Sequence, residues 1–292
     1  MEGTNMKDTL TVQDFFKRFP TDGDCLDHLM KVRFGDTVEC PKCKKTAKFH
    51  RIKKIPAYGC QWCGHHIHPM VGTPFEDSQT PLQKWFYAMY LFTTSRHGVP
   101  AKELQRQLGV TYKCAWRIAH EIRKYMGKVD GDDTLSGHVE VDETLIGPNK
   151  VKGGKQGMMG KGKTIVMGMV ERNGDLMTHI VENCKKETLM PIIESVIKKG
   201  STISTDELTS YKTLKHRGFK HGAVSHSTGE YVRGKHHTNS IEGFWSQIKR
   251  SIKGTHIHVS AKHLKKYLVE FEFRYNMRAT PSLMFSRLLA SF

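Results

Sequence analysis

The sequence has no run of about 18 apolar residues, so no membrane-spanning helix is expected. Its opening residues, Met1 to Asp8, lack the basic-then-apolar order of a secretory leader, and the expectation is a protein that stays inside the cell. The seven cysteines do not make a disulfide framework, because Cys25, Cys114 and Cys184 stand alone. Acidic residues are in short supply: 29 Asp+Glu face 46 Lys+Arg, for a net charge of +17. That imbalance runs through several segments rather than one tail, and it favours a polyanionic partner, most simply nucleic acid, by counterion release and steering. At 292 residues the chain has room for two or three domains and at least one sizeable core.

What is present begins with helical spacing. Over residues 8–34, Phe15, Phe16, Phe19, Leu26, Leu29 and Met30 recur as in short helices, with breaks expected at Pro20 and Gly23. The other four cysteines then form two Cys-x-x-Cys knuckles, Cys40/Cys43 and Cys60/Cys63. Each knuckle offers two thiolates from a tight turn, and four thiolates close a tetrahedron around structural Zn2+. The competing redox reading needs only one pair. The basic segment 44–59 between the knuckles suits a small hairpin, and a module this short depends on its metal to fold.

Residues 81–94 read as an apolar core helix. Pro100 opens another helix, Gly109 marks a tight turn, and Thr111 can cap the helix that follows. Leu104, Leu108, Val110, Trp116 and Ile118 are expected to bury against each other. Tyr112, Lys113 and Arg117 are left outward on the second helix, as a helix-turn-helix reading DNA would have them. A plain helical hairpin is the alternative.

After a polar linker at 130–136 the pattern changes to alternating strands. Val139 and Val141 alternate with Glu140 and Asp142. The stretch 147–163 is rich in Gly and Lys, and Gly157–Thr164 fits G-x-x-x-x-G-K-T. A phosphate loop must open a helix, whereas Thr164–Val170 reads as a strand, which argues against nucleotide binding. Asn173-Gly174 predicts a hairpin into the strand 175–181. A helix over Leu189–Ile197, a strand ending at Asp206, a helix over 211–218, a strand near 219–226 and a last long helix over 262–278 complete a mixed α/β sheet flanked by helices.

The stretch His237–Arg250 has two helical faces: Ile241, Phe244, Trp245 and Ile248 on one, Asn239, Glu242, Ser246, Lys249 and Arg250 on the other. By itself it is an ordinary amphipathic helix. Combined with Asp142 on one strand and Asp206 at the end of another, Glu242 supplies a third carboxylate able to hold Mg2+ for in-line phosphoryl displacement. The neighbouring acids Glu140, Glu143 and Glu207 are rivals, expected mostly in ion pairs or water.

These pieces together resemble a DDE-type insertion-sequence transposase of the ISXO-like family with an N-terminal zinc ribbon. The resemblance covers nearly the whole chain and rests on Cys40–Cys43 with Cys60–Cys63, Val139–Thr144, Ser204–Glu207, His237–Arg250 and Phe273–Asn276. It implies a ribonuclease H-like fold, with the division 1–36 helical segment, 37–72 zinc ribbon, 78–128 helix-turn-helix region and 136–292 catalytic domain. It further implies cleavage of transposon ends and joining of the freed 3′-hydroxyl to target DNA. Asp142, Asp206 and Glu242 carry over as ligands of Mg2+ or Mn2+, Lys249 and Arg250 as DNA-binding residues. The family also shows Asn in the third position, so Asn239 and Glu242 both stand as candidates. Double-stranded DNA, a dimer or larger assembly, and a cytoplasmic, nucleoid-bound location follow from the same resemblance. The rival functions are a structure-selective nuclease and a non-catalytic DNA-binding regulator.

Overall fold

In a computed structural model, the structure describes residues 10–130, 134–147, 162–225, 229–230 and 232–291. It divides into two units. The first comprises the residues through Ser95, Val99–Val129 and those from Ala279 on; the second comprises Arg96–Gly98 and Asp130–Arg278.

In the first unit, α1 (Val12–Arg18) and α2 (Asp22–Phe34) each begin with a capping box, Thr11 with Asp14 and Thr21 with Asp24. The break between them falls before Thr21. Gly23 does not interrupt α2; it is buried in it, and the Arg51 guanidinium occupies the space a Cβ would need. The ribbon follows as a hairpin, β1 (Val38–Glu39) with β2 (Thr46–Ala47), and a three-stranded antiparallel sheet of β3 (Phe49–Arg51), β4 (Tyr58–Cys60) and β5 (His66–Ile67). Next come α3 (Leu82–Thr94), α4 (Ala101–Leu108) and α5 (Tyr112–Asp130). Gly109 takes the left-handed conformation that turns α4 into α5, and the Thr111 hydroxyl accepts the Cys114 N–H. Leu104, Leu108 and Ile118 are buried as expected, but Val110 is only half-buried, and half-buried Trp116 stacks instead on His120.

In the second unit, β6 (His138–Ile146), β7 (Thr164–Glu171) and β8 (Leu176–Val181) form an antiparallel meander. Then come α6 (Lys186–Val196), β9 (Thr202–Thr205), a 3₁₀ turn over Thr209–Arg217, β10 (Lys220–Ala223) and α7 (Asn239–Ser251). A π-helical turn over Ile252–His256 leads to α8 (Ala261–Asn276). The sheet order is β10-β9-β6-β7-β8, with β9 parallel to both β6 and β10. Three antiparallel strands followed by two parallel ones at the other edge of the first is the ribonuclease H-like arrangement. Thr164 opens a strand and not a helix, so the phosphate-loop context is absent at that end; 148–161 lie outside the described residues. The Asn173-Gly174 turn joins β7 to β8 as the sequence predicts, with Asn173 at φ +62°.

Side-chain alternation gives the sheet two apolar faces. Val139, Val141, Met167 and Met169 pack against α6 and the 3₁₀ turn. Ile146, Val166 and Val170 pack against Ile241, Phe244, Trp245 and Ile248 of α7 and against α8. One expected boundary differs. The local pattern assigns 136–292 to the catalytic domain, but α9 (Met284–Ala290) belongs to the first unit. There the Phe285 ring lies 6.0 Å from those of Phe15 and Tyr90, and Leu288 and Leu289 are buried. An amphipathic segment docks wherever an apolar surface is unfilled, which local pattern does not specify.

Candidate active site

Register and alternation bring two acids together. The parallel pair β6–β9 aligns Glu140 with Ser204. Two residues further on, Asp142 stands on the same face of β6 as Glu140, and Asp206 follows directly after the end of β9, the neighbouring strand. Asp206 also accepts the Leu208 N–H at 3.0 Å, which fixes the turn leaving the strand. Asp142 lies on the face covered by α7, where the charges of Asp206 and Glu242 both act on it.

Two further residues bring α7 down onto that face. Gly168 is the cross-strand partner of Asp142. A Cβ there would come within 2.5 Å of Trp245 and 2.7 Å of Ile241, so only glycine lets the helix sit this close. Glu140 holds the start of α7. Its carboxylate, fully buried, accepts the Ser240 N–H at 2.8 Å and the Ile241 N–H at 3.3 Å. Those are the second and third helical N–H groups, which an N-cap side chain would normally satisfy; Thr238, the N-cap residue, makes no such bond. Arg172 pairs with Glu140 at 2.7 Å and also donates to the carbonyls of Lys235 and His237, so the approach to α7 is pinned as well. His138 and His236 join through the Ser204 hydroxyl at 2.7 and 2.8 Å. This polar cluster therefore ties together β6, β9 and the entry to α7, the three elements that carry Asp142, Asp206 and Glu242.

The electrostatics follow from the crowding. Burial first, then the charge of Asp206 and, more weakly, that of Glu242, push Asp142 up to about 6; the Glu143 N–H opposes this. The Trp245 indole N–H also favours the ionised form, although it lies outside normal hydrogen-bond limits. Glu242 accepts from the Thr238 hydroxyl at 2.7 Å. Asn239 is exposed at the first turn of α7. Glu143 points to the opposite face, where it accepts a hydrogen bond from Tyr211; burial, and next the nearby acids Asp142 and Asp206 working against that bond, bring it up to about 7. Asp142, Asp206 and Glu242 offer the hard oxygen donors Mg2+ prefers. Among the described residues, however, only the four cysteines bring three or more potential ligand atoms within 4.8 Å of one another.

That second constellation is tighter. The Sγ atoms of Cys40 and Cys63 are 3.6 Å apart and those of Cys43 and Cys60 4.0 Å. A tetrahedron with Zn–S bonds near 2.3 Å requires sulfur separations of about 3.8 Å, so these residues fit Zn2+. Burial resists ionising Cys40, but the backbone N–H groups of Cys43 and Lys42 outweigh it and draw the thiol down to about 6.

The other residues singled out in the sequence fall in two places. Tyr112, Lys113 and Arg117 are exposed on the second helix of the hairpin, as expected. Lys102 lies over the Tyr112 ring at 5.2 Å, and Arg117 lies over Trp85 at 5.6 Å. Lys249 and Arg250 are exposed at the end of α7. Sequence reasoning missed Glu140 as an anchor, Arg172, Gly168 and the role of Asn276. Asn276 accepts the Leu176 N–H at 2.8 Å and donates to its carbonyl at 3.1 Å, pinning the start of the edge strand β8. The one available signal was a glycine inside an otherwise apolar strand pattern, at Gly168.

Comparison with known proteins adds family context. Residues 134–276 match the ISXO2-like transposase domain, and residues 20–66 match the transposase zinc-ribbon domain. The zinc-ribbon match begins inside the N-terminal helical segment rather than at 37. A protein in transposable element ISH50 of Halobacterium salinarum is 25% identical over 88% of this chain and 92% of its own length. A transposase-like protein of Haemophilus influenzae is 33% identical over 34% of this chain and 79% of its own length. Among solved structures, the Mos1 strand transfer complex gives a TM-score of 0.32 at 14% identity, over 70% of this chain and 75% of that one.

Proposed function

This chain belongs to the ISXO2-like transposase family, and from that premise we propose that it cuts the ends of an insertion sequence and joins them to target DNA by metal-dependent phosphoryl transfer. The observation that carries the reading is the convergence of three acids: Asp142 on β6 feels the charges of both Asp206, just beyond the neighbouring strand β9, and Glu242 on α7. Asp142, Asp206 and Glu242 would hold Mg2+ or Mn2+, which supplies charge neutralisation at the scissile phosphate. Glu242 is favoured over Asn239 as the third ligand because its charge reaches Asp142 while Asn239 faces outward. Lys249 and Arg250, about two turns along α7 from Glu242, bind phosphate of the same duplex. Tyr112, Lys113, Arg117 and the ribbon engage the terminal DNA, in a dimer or larger assembly that brings two ends together inside the cell at the nucleoid.

The bond changes are simple. In cutting, a water oxygen bonds to phosphorus and the P–O3′ bond breaks, leaving a 3′-hydroxyl. In joining, that hydroxyl attacks a target phosphate and the target's P–O3′ bond breaks. No protein side chain is bonded to DNA at any stage, so Tyr211 and Ser240 are not nucleophiles, and neither is Tyr231, which lies outside the described residues.

The test is end cleavage and plasmid joining with a duplex copied from the repeats flanking the coding sequence. Asp142→Asn and Asp206→Asn should each abolish Mg2+-dependent nicking while duplex binding persists. Nicking by both variants would remove the acids from the mechanism. Cutting without joining would favour a structure-selective nuclease, and binding without cutting a regulator. Glu242→Gln should lose activity and Asn239→Ala retain it; the reverse pattern reassigns the third ligand.

A further inference from the structure

The α7 face of the sheet also carries a cavity of about 300 Å³ at the far end of β6. Lys163, Lys249, Lys253 and His258 stand around it over apolar Ile146 and Val259, and no acid lines it. The three lysines are exposed, and none is paired with a carboxylate among the described residues. From Glu242 to Lys249 along α7 is two helical turns, about 10 Å. That is about three base-pair steps at a rise of 3.4 Å.

The chain at this cavity is strained. After α7 the helix widens into the π-helical turn, and Ile257 then adopts φ +64° and ψ −53°, with the His258 N–H donating to the His256 carbonyl at 2.6 Å. This is the positive-φ γ-turn, rare for any residue and an outlier for a β-branched one. Backbone strain of this kind collects at functional sites. No burial offsets it here, because Ile257 is 83% exposed, more than any other large apolar side chain among the described residues. The fold thus holds an exposed apolar side chain beside three lysines that have no carboxylate partner among the described residues.

We propose that this turn is a DNA-distorting wedge: Lys163, Lys249 and Lys253 hold successive backbone phosphates, and Ile257 inserts at a base step about three positions from the bond that is cut. Double-stranded DNA is the occupant because the cavity combines positive charge with a protruding apolar tip. A free phosphate would use the lysines and leave Ile257 idle. The proposal rests on the reading of Asp142, Asp206 and Glu242 as the cutting site.

The experiment places 2-aminopurine at successive steps of the flanking-repeat duplex and follows its fluorescence on binding of the full-length protein without Mg2+. The wild type should brighten one step severalfold. Ile257→Gly should abolish that rise while binding the duplex within about 3-fold, since phosphate contacts dominate affinity. Glycine accepts positive φ, so this variant should melt no lower than wild type. Its cutting in Mg2+ should fall on the paired duplex and recover on a duplex mismatched at the same step. Lys253→Ala should weaken binding and reduce the salt slope by about one. Full brightening by Ile257→Gly, or equal loss of cutting on paired and mismatched duplexes, overturns the wedge. If the wild type brightens the duplex but neither cuts nor joins, the transposase reading fails and the wedge stands. If it cuts with every position dark, the wedge fails and the cutting site stands.

Discussion

Asp142 and Glu143 are adjacent in sequence and face opposite ways, yet both resist ionisation because both are buried among other acids. Folding lifts Asp142 from 3.8 to about 6 and Glu143 from 4.5 to about 7. The folded chain therefore keeps protons that the unfolded chain has already released. The resulting destabilisation is absent below the ordinary carboxylate range and grows as pH rises toward 7. His138 and His221 act in the opposite sense. Burial chiefly, then nearby cations, hold both down to about 4, so stability falls as pH drops from 6.5 toward 4. Comparing wild type with Asp142→Asn separates the two effects. In urea melts of the zinc-loaded, Mg2+-free protein, Asp142→Asn should be more stable by on the order of 2 kcal/mol at pH 8, with the gain vanishing near pH 4. No gain at pH 8 would mean that this carboxylate is not strained by its neighbours. Asp142 was legible as an acid on one strand and Asp206 as an acid at the end of another. The anchoring role of Glu140 was not, because a carboxylate two residues from another on the same strand face looks the same in sequence whether it binds metal or caps a helix.

At the level of elements, the site depends on how closely α7 meets the sheet. Gly168→Ala puts a methyl group into Trp245 and Ile241, so α7 must move outward and take Glu242 with it. The expected result is a loss of about 1–3 kcal/mol from overpacking and a rise in the Mg2+ concentration needed for cutting, measured by melts and metal titration. Glu140→Gln tests the other anchor. It leaves Arg172 partly buried without its ionic partner, for a loss of about 3–5 kcal/mol, and weakens the hold on the second and third N–H groups of α7. Glu140→Asp should restore part of the Mg2+ affinity if positioning is the cause, and none if Glu140 serves only bulk stability. The amphipathic stripe of α7 announced its packing face, and Asn173-Gly174 its hairpin. The closeness of approach was set by one absent side chain on a strand remote in sequence.

Over the whole molecule, both units depend on links that skip long stretches of chain. The four cysteines stand in for the core that a ribbon of two- and three-residue strands cannot build. Stripping zinc with a chelator should abolish the ribbon's ordered structure, seen as loss of amide protection over residues 38–67. Retained protection at zero measured zinc would show that the ribbon folds without its metal. The first unit also takes its last helix from the far end of the chain. Truncation after Arg278 removes buried Phe285, Leu288 and Leu289 and should cost that unit on the order of 4 kcal/mol, with earlier melting and faster proteolysis near Phe15 and Tyr90. Unchanged melting would mean that α9 contributes nothing there.

The sequence by itself determined the local features. Cysteine spacing specified the metal knuckles, periodicity of two and of 3.6 separated strands from helices, and turn chemistry joined β7 to β8 and α4 to α5. These are properties of residues a few positions apart, where covalent geometry dictates which side chains can meet. Only the tertiary structure decided that Asp142 and Asp206 lie side by side, that Glu140 caps a helix a hundred residues away, that Gly168 admits Trp245, and that α9 returns to the first unit. Those outcomes come from strand register and close packing between distant segments, and local pattern does not encode which apolar surfaces remain free to meet.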